Sequence, residues 1–379
     1  MVINMKRYLS MLLMFSLCLS MAACNPISFS NKPKDEDSSS DSSSDSELTT
    51  SSPSGDSTTT IETSPSPTSP EEDSSKKSID LYIIAGQSNA AGYTTIDQSK
   101  LATLWPDYNV GSPNVLYKGV AESTNNSSTV ENNIRQWTNA KAGQGKSTNH
   151  MGAEVGMAAV LSRTYYTGNK TAGIIKYAHG GTSLLNKTDG ENAANGNWVS
   201  PSYARSNGLS YSGLTGNLYR NLISTVKESV LQLKRNGYDD IHIKGIFWMQ
   251  GGADRGEPIK YKAALKLLVG DMRNDLATIT DDNPSDIAFM IGENSETNYS
   301  AFEADIQVNQ KLISVQHEVS NEMTNVYIIP SGQYRVCWLD SNGENRFGQD
   351  PWHWTTEPMF RIGELVAQCI LNNIVNYQN

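Results

Sequence analysis

Beyond residue 78, five short apolar runs recur at 79–85, 172–178, 241–249, 287–291 and 326–329, with segments of helical periodicity between them. This alternation constrains the fold more tightly than any other feature of the chain. The helical segments fall at about 153–165, 214–235, 259–276 and 302–319, with a last one at about 355–375. Runs without a polar face belong to strands covered on both sides, which calls for a parallel sheet between two layers of helices. The expectation is an α/β chain, a three-layer α/β/α sandwich on a five-stranded parallel sheet. In such sheets reactive groups collect at the carboxyl ends of the strands.

The first run stops abruptly at Gly86-Gln87-Ser88-Asn89. A glycine permits a tight turn there, and a serine two residues on can stand at the sheet rim near a helix start, as a nucleophile does. The same pattern also fits a serine that only caps a helix. The second run delivers His179-Gly180-Gly181-Thr182-Ser183, and the third delivers Gln250-Gly251-Gly252-Ala253-Asp254. The loop after the fifth carries Asp350 and His353. These are the parts of an acyl-transfer site. His353 is the candidate base, because imidazole has the right basicity near neutral pH, and Asp350 is placed to hold its tautomer. His353 also fits a ring packed between Trp352 and Trp354. Candidate oxyanion donors are the Ser88 N–H, the N–H of Gly180 or Gly181, and the side-chain amide of Gln250. Gln87 and Asn89, which flank Ser88, are candidate substrate contacts. So is Asp254, which fits a turn residue equally well. The remaining histidines show no metal-ligand spacing, and neither a metal nor an organic cofactor is expected.

Two stretches, 93–150 and 183–213, break the rhythm. They are rich in Asn, Ser, Thr, Gly and Tyr, and read as long loops lying over the strand ends where a polar substrate would bind. Within the second, Trp198 and Tyr203 offer ring faces to a sugar. Aromatic plugs that pin a long loop are the equal alternative.

The first 24 residues read as an export signal: Lys6 and Arg7, an apolar stretch at 9–19 too short to span a bilayer, and a small-residue exit before Cys24. Residues 25–77 are dominated by Ser, Thr, Pro, Asp and Glu, and hold too few large apolar groups to offset the entropy of ordering. A disordered tether is expected there. Of the net charge of −10, the tether carries −7 and residues 78–379 carry −5. With no basic stripe, nucleic acid is excluded as a partner. Besides Cys18 and Cys24, only Cys337 and Cys369 occur, which makes neither a disulfide framework nor a zinc spacing.

Gly86-Gln87-Ser88-Asn89, Gly180-Gly181-Thr182, Trp248-Met249-Gln250-Gly251 and Asp350-x-x-His353, in that order, resemble the blocks of the SGNH hydrolase superfamily. More narrowly, they are similar to the sialate O-acetylesterase and acetylxylan esterase branch, carbohydrate esterase family six and its relatives, over roughly residues 79–375. The resemblance implies a flavodoxin-like SGNH hydrolase fold and a serine esterase that removes O-acetyl groups from carbohydrate. It implies Ser88 as nucleophile, Asp350 and His353 completing the triad, and Gly181 with Gln250 lining the oxyanion hole. Gly152-Ala153-Glu154 resembles the family's Gly-Pro-Glu helix start, with alanine in place of proline. One departure stands out: the family usually reads Gln-Gly-Glu-x-Asp after the third strand, and here Gly252 replaces the glutamate. Met21-Ala22-Ala23-Cys24 in turn resembles a bacterial lipoprotein box, with methionine where leucine is usual. That implies lipidation at Cys24 and a cell-surface protein whose only membrane contact is the anchor. Two other readings stay open on sequence alone. One is a non-catalytic glycan-binding lipoprotein, kept alive by Gly252. The other is a glycoside hydrolase using Asp254 and Asp350 as paired carboxylates.

Overall fold

The chain is represented by a computed structural model that describes residues 76–120, 136–347 and 350–376. The expected export signal, Cys24 and nearly all of the 25–77 tether lie outside the described residues. One sheet of seven strands organises the rest: β1 (Lys77–Gly86), β2 (Ser112–Val120), β3 (Thr138–Ala140), β4 (Ala172–Ala178), β5 (Tyr238–Met249), β6 (Ala288–Gly292) and β7 (Val326–Ile329). Their spatial order is β3-β2-β4-β1-β5-β6-β7. Only the β2–β3 pair is antiparallel among the neighbours.

The five strands expected from sequence are all present and form the flavodoxin-like order, with β1 between β4 and β5. The sheet is wider than expected by β2 and β3, which come from the 93–150 stretch read as a loop. The reason lies in the composition of β2. Val115 and Tyr117 are buried in alternation, yet Pro113, Lys118 and Gly119 interrupt the apolar run that would have marked a strand. Lys118 is nonetheless buried, its Nζ donating to Gln232 Oε1 at 2.8 Å.

Alternation along β1 divides the interior in two. Ile79, Leu81, Ile83 and Ala85 enter one core, while Tyr82 and Ile84 enter the other. The first core is covered by the apolar stripes of α3 (Asn217–Arg235), α4 (Pro258–Thr280) and α5 (Glu303–Glu322), the second by α2 (Glu154–Thr164) and α6 (Thr356–Asn373), after a first short helix α1 (Ser88–Ala91). Helices α2 and α6 approach so closely that a Cβ on Gly363 would stand 2.2 Å from Ala153 O. At the start of α2, Glu154 Oε1 accepts from Gly152 N at 2.8 Å. Its Oε2 lies 3.0 Å from Lys176 Nζ on β4, an ion pair fully enclosed in the core and held by charge rather than by an aligned hydrogen bond. Cys337 and Cys369 are both free thiols.

The register sets up the site. Gly86 lies level with Ala178 on one side and Met249 on the other, so three adjacent parallel strands end together. Their following residues, Gln87-Ser88, His179-Gly180-Gly181 and Gln250-Gly251-Gly252, emerge from the same edge of the sheet. This is the crevice where strand order reverses about β1.

Candidate active site

The turn that presents Ser88 depends on Gly86. Its φ is +135°, and a Cβ there would stand 2.3 Å from Met249 O, so no other residue fits without moving β5. Gln87 N donates to Met249 O at 3.0 Å, and Ser88 then opens α1 with 7% of its surface exposed. Gln87 Oε1 accepts from Gly251 N at 3.3 Å and ties the first strand end to the third.

Asp350 and His353 come from the loop ahead of α6. Asp350 Oδ2 is 2.6 Å from His353 Nδ1, and its Oδ1 accepts from Trp352 N at 2.9 Å and His353 N at 2.6 Å. Burial by itself raises the carboxyl, but the His353 bond and the two backbone amides outweigh it and hold Asp350 below the ordinary carboxylate value. The carboxylate is therefore ionised at neutral pH and fixes Nδ1 as the protonated ring nitrogen, leaving Nε2 as the acceptor. Two bonds pin this loop to the serine's end of the sheet: Asn89 Nδ2 donates to Trp352 O at 3.1 Å, and Thr94 Oγ1 to Trp354 O at 2.8 Å. The His353 ring packs on Tyr93, centroids 4.8 Å apart, rather than between its two tryptophan neighbours. Trp352 is instead 47% exposed, and Trp354 is buried with its Nε1 on Tyr334 O.

Three sequence expectations need correction. Trp198 does not face a substrate: it is 0% exposed, donates from Nε1 to Thr182 Oγ1 at 3.0 Å and meets Trp248 edge-on at 5.1 Å. Asp254 is likewise 0% exposed. Its Oδ2 accepts from Leu184 N and Gln250 Nε2, both at 2.7 Å, and Lys187 Nζ lies 3.5 Å from Oδ1. It clamps the second strand-end loop to the third and is out of reach of a sugar. Gln250 cannot supply an oxyanion donor as it stands, because its Nε2 is occupied by Asp254 Oδ2 and, at 3.2 Å, by Thr182 O. Gly180 and Gly181 do reach the edge beside Ser88, Gly181 exposed and at φ +65°.

A model of the family described as carbohydrate esterase, sialic acid-specific acetylesterase, matches residues 78–372. The chain belongs to this family. It is thus a carbohydrate acetylesterase, a carboxylic ester hydrolase by class. Among solved structures, NanS superposes with a TM-score of 0.51 at 14% identity, over 78% of this chain and 98% of its own. A protein of Arabidopsis thaliana gives a TM-score of 0.49 at 18% identity, over 78% of this chain and 98% of its own. At 14% identity the likeness to NanS concerns the fold alone. No curated protein matches the sequence.

The esterase's site also contains residues that sequence reasoning passed over. Tyr93 under His353 lies in a stretch with no pattern to distinguish it. Tyr299 N donates to Pro351 O at 3.2 Å, which ties the loop after β6 to the Asp350–His353 loop. Its unusual φ of +75° is a backbone property that no spacing rule reveals.

Proposed function

We propose that the protein is an exported, lipid-anchored serine esterase that releases acetate from O-acetylated carbohydrate. The observation that carries this is the Asp350–His353 pair, 2.6 Å apart on a loop bonded to the residue next to Ser88. Ser88 Oγ attacks the acetyl carbonyl while His353 Nε2 takes its proton, and Asp350 stabilises the imidazolium that forms. The oxyanion is held by the Ser88 N–H at the open end of α1 and by the Gly181 N–H. Gln250 acts one step back, holding the Thr182 backbone and Asp254 so that this glycine turn keeps its shape. His353 then protonates the departing sugar oxygen, giving an acetyl-Ser88 ester and the free hydroxyl. Water, deprotonated by His353, attacks that ester, and acetate leaves as the proton returns to Ser88.

The paired-carboxylate alternative fails on Asp254, whose enclosure removes it from any glycosidic bond. Replacement Ser88→Ala is expected to lower turnover of p-nitrophenyl acetate by about 10⁴-fold or more with an unchanged melting temperature. Undiminished turnover in that variant overturns the nucleophile assignment.

A further inference from the structure

The ring that packs on the base belongs to the same short segment as the nucleophile. Tyr93 follows Gly92, which ends α1 at φ +88° and whose N–H donates to Ser88 O at 2.9 Å. Ser88 and the ring beside His353 are therefore five residues apart on one continuous turn. The loop after β3 lies directly against that turn. A Cβ on Gly145 would stand 2.3 Å from Gly92 O, and Thr94 and Thr95 pair antiparallel with Met151 and His150. Lys146 grips the turn twice. Its backbone N donates to Gly92 O at 2.8 Å, and its Nζ stands over the Tyr93 ring, 4.1 Å from the centroid. At that distance an ammonium is attracted by the ring quadrupole.

What this ring does for the base follows from how His353 is held. Asp350 Oδ2 restrains the imidazole at a single atom, Nδ1. The plane of the ring, and with it the direction of Nε2, is left to whatever packs against it. Tyr93 is that partner, with centroids 4.8 Å apart and planes inclined by 33°. Trp352 meets the imidazole only edge-on at 6.5 Å and is half in solvent. Tyr93 is itself only half-buried, so its ring needs a hold of its own, and the Lys146 ammonium supplies one. His150, on the same loop, does not take this role: its Nδ1 lies 2.7 Å from Ser147 Oγ. Burial first, then the charges of Lys146 and His353, hold His150 below the ordinary imidazole value and so neutral at pH 7.

We propose that Lys146 is a positioning residue: its ammonium fixes the Tyr93 ring, and that ring sets the plane in which the His353 imidazole presents Nε2 to Ser88. The proposal rests on the esterase reading and adds to it two residues that belong neither to the strand-end loops nor to the Asp350–His353 loop. A base turned slightly out of line transfers protons poorly while the substrate still binds, so the effect falls on kcat rather than on KM. Charge carries it. A guanidinium can replace the ammonium over the ring, and a thioether of the same length cannot.

Steady-state kinetics of the full-length protein on p-nitrophenyl acetate test this, with kcat counted per serine labelled by a fluorophosphonate. Lys146→Met, which keeps the length of the side chain and removes its charge, is expected to lower kcat about three- to tenfold with KM unchanged. Lys146→Arg should hold kcat within about twofold of the parent, because a guanidinium also stacks on a tyrosine ring. Tyr93→Leu is expected to lower kcat about tenfold or more. Adding Lys146→Met to it should cost nothing further, since the ammonium then has no ring to hold. A parent-like kcat in Lys146→Met overturns the proposal. So does an arginine variant as slow as the methionine one, which makes the effect one of packing, and so do fully additive losses in the double variant. Should Tyr93→Leu fail to fold, the two Lys146 variants decide alone. Turnover that survives Ser88→Ala overturns the esterase reading instead, so the two failures are distinguishable.

Discussion

At the scale of single residues, burial reassigns roles that residue type suggested. Trp198 and Asp254 are the kinds of side chain that bind sugars, and each lies where such a contact was expected. Yet both are enclosed and spend their polar atoms within the protein. Trp198→Ala should lower unfolding free energy by about 3–5 kcal/mol, since it empties a large space between Tyr177 and Trp248. Denaturant melts check this. A raised KM on an acetyl sugar with an unchanged melt restores the stacking role. The turn at Ser88 was legible because a glycine breaks the first apolar run there, and the Asp350–His353 contact because the two stand a fixed three residues apart. Asn298 and Tyr299 were not, because nothing in their own neighbourhood distinguishes them. Asn298 and Tyr299 meet Gln87 only in space, around Gly252 and more than 200 residues away in sequence.

At the scale of elements, the continuous apolar strands were readable to within a few residues, and the long helices nearly so. Positions in a strand buried on both faces are apolar except where a polar group is paired, as Lys176 is with Glu154, so the signal survives in one sequence. Strand β2 escaped because Pro113 falls where its pairing with β3 shifts register, between Ser112 and Leu116, and because Lys118 is buried on a side-chain partner, Gln232. Helix contacts are a different matter. Gly156 and Gly363 let α2 and α6 meet backbone to backbone, with a Cβ on Gly156 falling 2.0 Å from Phe360 O. A pattern of periodic apolar residues says which face is buried, and not how near the neighbour comes. Gly363→Ala is expected to cost about 1–3 kcal/mol by forcing these helices apart. The drop should appear as a lower melting temperature. Below it, p-nitrophenyl acetate turnover should persist, because the site is at the strand ends. A melt as high as the parent's contradicts the close-packing account.

At the scale of the whole molecule, the family match covers residues 78–372, and we propose that the segment before it bears on where the protein is held rather than on what it does. The lipid anchor we propose at Cys24 predicts that Cys24→Ser moves the protein, expressed in a bacterium, from the membrane fraction to the soluble exported fraction with its esterase activity intact. Unchanged membrane retention of that variant would remove the anchor from the account. By itself the sequence determined the layered α/β architecture, the family, the strand end that carries Ser88 and the spacing that pairs Asp350 with His353. Those follow from local patterns: an apolar run, a glycine where it breaks, a fixed spacing. Only the tertiary structure decided that Gln250 and Asp254 brace the site from behind, that Trp198 belongs to the core, and that Gln87, Asn298 and Tyr299 gather around Gly252. Each of those is a matter of distance and enclosure between segments remote in the chain, which pairwise packing sets and local pattern does not encode.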